Sequence, residues 1–158
     1  MIRRFGDTPA PGRRYRQRPG AYAILPLRGR ILLTFQASPA PEFQLPGGGI
    51  DPGESPVAAL HREAFEETGW KITAPRRLGA FRRFTYMPEY DLWAEKLCHI
   101  YVATPTRRLG PPTEPGHAAC LLDGEEALHR LANDGDRHFL ARFLKAGRNG
   151  KTGRNRVA

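Results

Sequence analysis

Gly47–Trp70 reads GGGIDPGESPVAALHREAFEETGW. Ser55-Pro56 is a strong helix start. Serine suits the N-cap, and proline at the first helical position gives up an N–H that would have no intrahelical partner anyway. Gly69 supplies the left-handed residue at which helices commonly stop. The spacing therefore predicts a helix over 56–68. On a wheel of about 100° per residue, Val57, Leu60 and Ala64 share a side that can pack on a sheet, with His61 and Phe65 at its margin. Glu63, Glu66 and Glu67 fall together on another side, with Arg62 just beyond them.

Like charges three and four apart on a helix repel by about 0.2–0.5 kcal/mol per pair. A solvated charged face is the plainer reading of such a cluster, and three features count against it. No lysine is interleaved among the glutamates. The loop before the helix, Pro46-Gly47-Gly48-Gly49, is one whose backbone can come close to a ligand. The chain as a whole carries a net charge of +9, so the acidic cluster runs against its composition. A divalent cation resolves the repulsion. Hard carboxylate oxygens suit Mg²⁺ or Mn²⁺, and Mg²⁺ commonly bridges a few carboxylates to substrate phosphates. The spacing thus points to metal, and through the metal to a polyphosphate.

The remaining composition narrows the setting. A chain of 158 residues with 40% hydrophobic and 26% charged residues suits one soluble domain with a sizeable core. A pI near 10.2 favours anionic partners such as nucleotides, nucleic acid or acidic surfaces. Cys98 and Cys120 lack zinc spacing and read as two buried free thiols in a reducing compartment. No apolar run approaches the ~18–20 residues of a membrane span, and the basic N-terminus lacks the apolar segment of a secretory signal. A cytoplasmic location is expected.

Residues 1–19 are rich in Arg, Pro and Gly and read as a partly extended arm, 20–146 as the folded domain, and 147–158 as a basic mobile tail. Within the domain, strands are expected at 21–27 and 31–35, joined at Arg28-Gly29-Arg30, and at 43–45, 77–87, 95–104 and 118–122. Residues 70–72 should be extended, and 88–94 a loop or irregular strand end. The proline-rich 107–116 reads as a loop. Asp123 and Glu126 have capping-box spacing and open a short helix to about Leu131. Asp134 or Asp136 opens a last helix to about Lys145, with Phe139, Leu140, Phe143 and Leu144 as its apolar stripe. The class is α/β or α+β.

The stretch also fits a longer pattern: Gly48, five residues to Glu54, seven to Arg62-Glu63, then Ala64, Glu66-Glu67, Gly69 and Trp70. It resembles the Nudix hydrolase box at every fixed polar and glycine position. Trp70 stands where an aliphatic residue is usual. The resemblance implies a Nudix fold, an α/β/α sandwich with a curved mixed sheet and a loop–helix–loop box, over about residues 20–145. It implies metal ligation by Glu63, Glu66 and Glu67 and by the carbonyl of Gly47. It further implies orientation of the glutamates by Arg62, support of the loop by Glu54, and a plain helix stop at Gly69.

The chemistry implied is attack of water on a phosphorus of a nucleoside diphosphate linked to another group, with Mg²⁺ or Mn²⁺. Glu114 is the candidate for a further carboxylate, as base or extra ligand; Ala118 follows His117 where relatives often carry an acid. His117 itself reads as a loop hydrogen-bonding residue, and His61 and His99 as packing or surface residues. One of Arg82 and Arg83 should face the cleft, since alternate strand residues face opposite sides. Tyr86, with Tyr90 and Trp93, offers rings that could stack on a base, against the plainer reading that they pack in core or loop.

Candidate substrates are nucleoside triphosphates, ADP-ribose, other nucleotide sugars and dinucleoside polyphosphates. The alternatives are hydrolysis at the 5′ end of RNA and a nucleotide sensor without turnover. Retention of the box glutamates speaks against the sensor. A small nucleotide is the expected partner, with no membrane, nucleic acid not favoured, and a homodimer compatible with the family but marked by no exposed apolar stripe.

Overall fold

Ala21-Tyr22-Ala23-Ile24-Leu25 is buried without a break, because its strand is covered on both faces. Alternate residues go to two separate cores. Tyr22 and Ile24 join a cluster with Ile31, Leu33, Phe81, Ile100, Phe139 and Leu140. Ala21, Ala23 and Leu25 join Leu32, Ala59, Leu60, Ala64 and Tyr101 on the other side. The period of two along a strand makes this division automatic.

The computed structural model describes residues 1–154, with side chains through residue 149. Its elements are β1 (Arg3–Arg4), β2 (Arg16–Leu27), β3 (Arg30–Gln36), β4 (Glu42–Gln44), β5 (Gly47–Gly49), α1 (Pro56–Thr68), β6 (Trp70–Met87), β7 (Leu92–Arg108), β8 (His117–Leu122), α2 (Gly124–Arg130) and α3 (Asp134–Arg154). A single 3-10 turn, Pro88–Tyr90, joins β6 to β7. The mixed sheet runs β1-β6-β7-β2-β3-β4, with β5 on β2 and β8 on β3. Helix α1 covers one core, and α2 and α3 cover the other. This is the α/β/α sandwich with a mixed sheet that the sequence led us to expect.

The helix over 56–68 has the expected ends. Ser55 Oγ accepts from Ala58 N–H at 3.1 Å, and Gly69 at φ 74° returns its N–H to the Phe65 carbonyl. The ends of the chain differ from expectation. Arg3–Arg4 pair in parallel with Phe81-Arg82 of β6, and β2 begins at Arg16, so both ends of the expected arm belong to the sheet. The long hairpin β6–β7 extends past the predicted strands into Arg107-Arg108. Helix α3 continues through 147–154, where the composition suggests a tail; residues 155–158 lie outside the described residues. Cys98 is buried, and burial pushes its thiol up to about 12. Cys120 is only half-buried, on the sheet edge strand β8.

Candidate functional site

The three box glutamates stand at different depths. Glu67 is 4% exposed. One of its oxygens accepts the Gly47 N–H at 2.9 Å; the other lies 3.5 Å from His117 Nδ1. Burial pushes the Glu67 carboxyl well above the usual carboxylate range, against the Gly47 hydrogen bond that favours the anion. Burial also raises Glu63, offset in part by Arg62. A buried carboxyl held high in this way gains by meeting a cation, which restores the charged form.

Arg62 organises the rest. Its Nε and one terminal nitrogen fork onto Glu54, each at 2.9 Å. The same guanidinium reaches Glu63 at 2.7 Å, Glu66 at 3.4 Å and the Gly49 carbonyl at 3.0 Å. Glu54 is held down to about 2, first by that hydrogen bond and then by the Asp51 amide. The planar fork ties the loop before α1 to the helix. Two glycines make the fit close. A Cβ on Gly48 would lie 2.5 Å from the Glu63 carboxyl carbon, and one on Gly47 would overlap the Ala21 carbonyl.

Glu114 reaches the helix through its backbone. The N–H groups of Thr113 and Glu114 donate to the Glu66 carbonyl at 2.8 and 3.0 Å, satisfying one of the acceptors that a helix C-terminus leaves free. Leu109 N–H donates to the Gly69 carbonyl at 2.9 Å. The loop 109–116 is thereby pinned on the end of α1. Glu67, Glu114 and His117 offer ligand atoms within 4.8 Å of one another, and so do Glu63, Glu66 and Glu114. Glu114 is common to both sets. Carboxylate oxygens with one imidazole form a donor set that a hard divalent cation fits. His117 is more than the loop residue expected: it opens β8, its Nδ1 is 2.9 Å from Thr34 Oγ1, and its side chain is 9% exposed.

A cleft of about 460 Å³ opens in front of these groups and takes in Glu63, Glu67, Glu114 and His117. That volume lies in the range of small-molecule sites. The cleft lining also includes Arg18, Tyr22, Arg83, Tyr86, Tyr90 and Lys96. Of the two candidate arginines, Arg83 lines the cleft. Arg82 does not; it pairs with Glu95 at 3.2 Å, as the alternation along β6 requires. Tyr86 is at the rim, 42% exposed, and its hydroxyl donates to Asp91. Trp93 lies outside the cleft, with the Arg13 guanidinium 3.8 Å from its ring centre. His99 is half-buried and meets Arg77 on the neighbouring strand. The sequence reading missed Arg18, Tyr22 and Lys96. Lys96 could have been noticed as a cation set between Ala94 and Cys98, which are both buried.

Known proteins resemble this chain in sequence and in fold. A protein of Bacillus subtilis (strain 168), provisionally named an 8-oxo-dGTP diphosphatase, is 34% identical over 74 residues, 47% of this chain and 50% of that protein. An RNA pyrophosphohydrolase of Cereibacter sphaeroides (strain ATCC 17029 / ATH 2.4.9) is 40% identical over 60 residues, 32% of this chain and 37% of that protein. The chain thus spans half or less of the length of these curated relatives. The structure of a NUDIX hydrolase from Nitrosomonas europaea superposes with a TM-score of 0.66 at 17% identity, over 84% of this chain and 90% of that one. The family model of the NUDIX domain matches residues 15–143. With the box, the fold and that match in agreement, the chain belongs to the Nudix family.

Proposed function

We propose that this protein is a divalent-metal-dependent hydrolase of the diphosphate linkage in a nucleoside diphosphate joined to another group. The observation that carries this reading is the convergence on Glu114: one loop carboxylate lies within 4.8 Å of Glu67 and His117 and also of Glu63 and Glu66, beside the cation those glutamates would hold. Glu63, Glu66 and Glu67, with the Gly47 carbonyl, would hold Mg²⁺ or Mn²⁺. When bound, the metal supplies charge neutralisation at the phosphoryl oxygens and a lowered pKa for the attacking water.

The other roles belong to the chain. Arg62 keeps the glutamates in place through its bonds to Glu54, Glu63 and Glu66. Glu114 is the group we assign to take the proton of the attacking water. His117, between Thr34 and Glu67, positions the Glu67 carboxylate. Arg83 and Tyr86 face the substrate.

The test is a substrate panel with Mg²⁺, Mn²⁺ or EDTA, run beside Glu67→Gln. It should include nucleoside triphosphates, ADP-ribose, nucleotide sugars, dinucleoside polyphosphates and 5′-triphosphate RNA. Metal-dependent cleavage that falls at least about a hundredfold in Glu67→Gln is expected. Tight nucleotide binding with no turnover under any metal would overturn this in favour of a sensor.

A second reading is pyrophosphate removal from the 5′ end of RNA. It is favoured by the net charge of +9 and by the relative named an RNA pyrophosphohydrolase. Cleavage of RNA that weakens steeply with added salt would support it, since each phosphate contact releases counterions.

A further inference from the structure

Strands β2, β7 and β6 are neighbours, and their register sets three cations in one row. Arg18 is opposite Lys96 on the parallel pair, and Lys96 is opposite Arg83 on the antiparallel pair. Residues directly opposite on neighbouring strands share a face, and all three line the cleft.

Like charges directly opposite one another destabilise a sheet. Natural surfaces relieve such a row with interleaved carboxylates. Here none of the three forms an ion pair among the described residues. Asp136 couples electrostatically to Arg83 and Lys96, one carboxylate against three cations. The stems are held by aromatic rings. Arg18 lies 4.7 Å from the Tyr90 ring centre, and Lys96 lies 5.7 Å from that of Tyr22. Lys96 is also close enough for its charge to act on Glu67. The lining therefore holds this row of three cations as well as carboxylates, those of Glu42, Asp51 and Glu89 among them, and a diphosphate bridged by metal to the box glutamates leaves the row unused.

We propose that the row Arg18–Lys96–Arg83 binds a second anionic group of the substrate, a phosphoryl group beyond the diphosphate bond that is cut. This rests on the proposed cleavage at the glutamate helix and narrows its substrate class. The preferred substrate carries three or more phosphoryl groups, as a nucleoside triphosphate or a 5′-triphosphate RNA end does. A diphosphate ending in a neutral sugar leaves the row unanswered and is a poor substrate.

The first measurement needs no turnover. Inorganic tripolyphosphate is titrated calorimetrically in EDTA into the wild type, Lys96→Met, Arg18→Gln and Glu67→Gln. Binding should weaken tenfold or more in Lys96→Met and severalfold in Arg18→Gln, and should persist in Glu67→Gln. Melting temperatures are followed for each variant, so that a loss of binding is read only from folded protein. The Arg18→Gln change sits nearer the surface and decides the matter if Lys96→Met fails to fold.

With metal added, kcat/KM for a nucleoside triphosphate should drop at least tenfold more in Lys96→Met than kcat/KM for ADP-ribose does. Comparing the nucleoside triphosphate with 5′-triphosphate RNA names the source of the group. Wild-type protein that does not bind tripolyphosphate, folded variants that bind it as well as wild type, or equal losses on both substrates would overturn the proposal. Tripolyphosphate binding that depends on Lys96, with no cleavage of any substrate, would overturn the hydrolase reading and leave the anion row standing.

Discussion

The guanidinium of Arg62 meets Glu54, Glu63, Glu66 and the Gly49 carbonyl at once. A lysine could make one or two of these contacts but cannot fork. The clearest consequence is at Glu54, whose carboxyl is held down to about 2. A depressed carboxyl contributes stability above its unfolded value, near 4.5, and loses it as pH falls toward 2. In Arg62→Met the Glu54 midpoint should rise by a unit or more toward that value, followed by carboxyl-carbon NMR titration. A midpoint that stays near 2 would mean that the Asp51 amide, the second cause, is enough alone. Activity should fall in the same variant, because Glu63 and Glu66 lose the cation that aligns them.

At the scale of elements, α1 was legible because its signals are local. Ser55, Pro56 and Gly69 fix its ends, and the glutamate spacing fixes its face. The strands β1 and β5 were not legible. Arg3–Arg4 and Gly47–Gly49 carry no strand pattern and become strands by pairing with β6 and β2. The row Arg18–Lys96–Arg83 was hidden for a related reason, since register exists only once strands have paired. Glu114 could be guessed from the resemblance, but its reach depends on the loop seated against Gly69. A Cβ at Gly69 would overlap the Gly110 carbonyl, on a residue already at φ 74°.

Gly69→Ala should therefore lose on the order of 2–4 kcal/mol of stability and reduce kcat by displacing Glu114. Gly53→Ala is the control. Its φ is 80°, with no atom within 4 Å of the added methyl, so only about 1 kcal/mol is expected. Equal denaturant midpoints for the two variants would show that the loop contact is unimportant.

Helix α3 carries the other element-scale effect. Asp136 is 3% exposed, and burial raises its carboxyl to about 6 from an ordinary 3.8, against the charges of Arg83 and Lys96. The folded state then binds a proton that the unfolded chain has released, so stability falls as pH rises from about 4 to about 6 and levels off above. Asp136→Asn should flatten that slope and stand more stable than wild type near pH 7. A difference on the order of 1–3 kcal/mol follows from the size of such a shift. Urea melts at closely spaced pH values would show it, and an unchanged slope would locate the proton elsewhere.

At the scale of the whole molecule, the division of labour lies between the sheet that carries the site and the chain segment that closes its flank. The N-terminal residues have the composition of an arm, yet Phe5 packs edge-on against Phe81 at 5.6 Å and lies 5.1 Å from the His138 ring. Its N–H donates to the Arg82 carbonyl at 2.9 Å. Phe81 is 1% exposed and stands between Phe5 and Phe139. Phe81 also belongs to the core that α3 covers, so Phe5 seals the edge of that core. Deleting residues 1–14 removes this cover and also the Arg13 contact on Trp93, while leaving the glutamates, Glu114 and Arg18 in the chain. The truncated protein should lose on the order of 2–4 kcal/mol, about the worth of a buried aromatic contact and its area. Well below its melting temperature it should keep kcat within about threefold, because no deleted residue lines the cleft. Phe5→Ala should reproduce most of the stability loss. If truncation instead abolishes cleavage while the melting temperature holds, the segment acts on substrate and the flank role assigned to Phe5 is wrong.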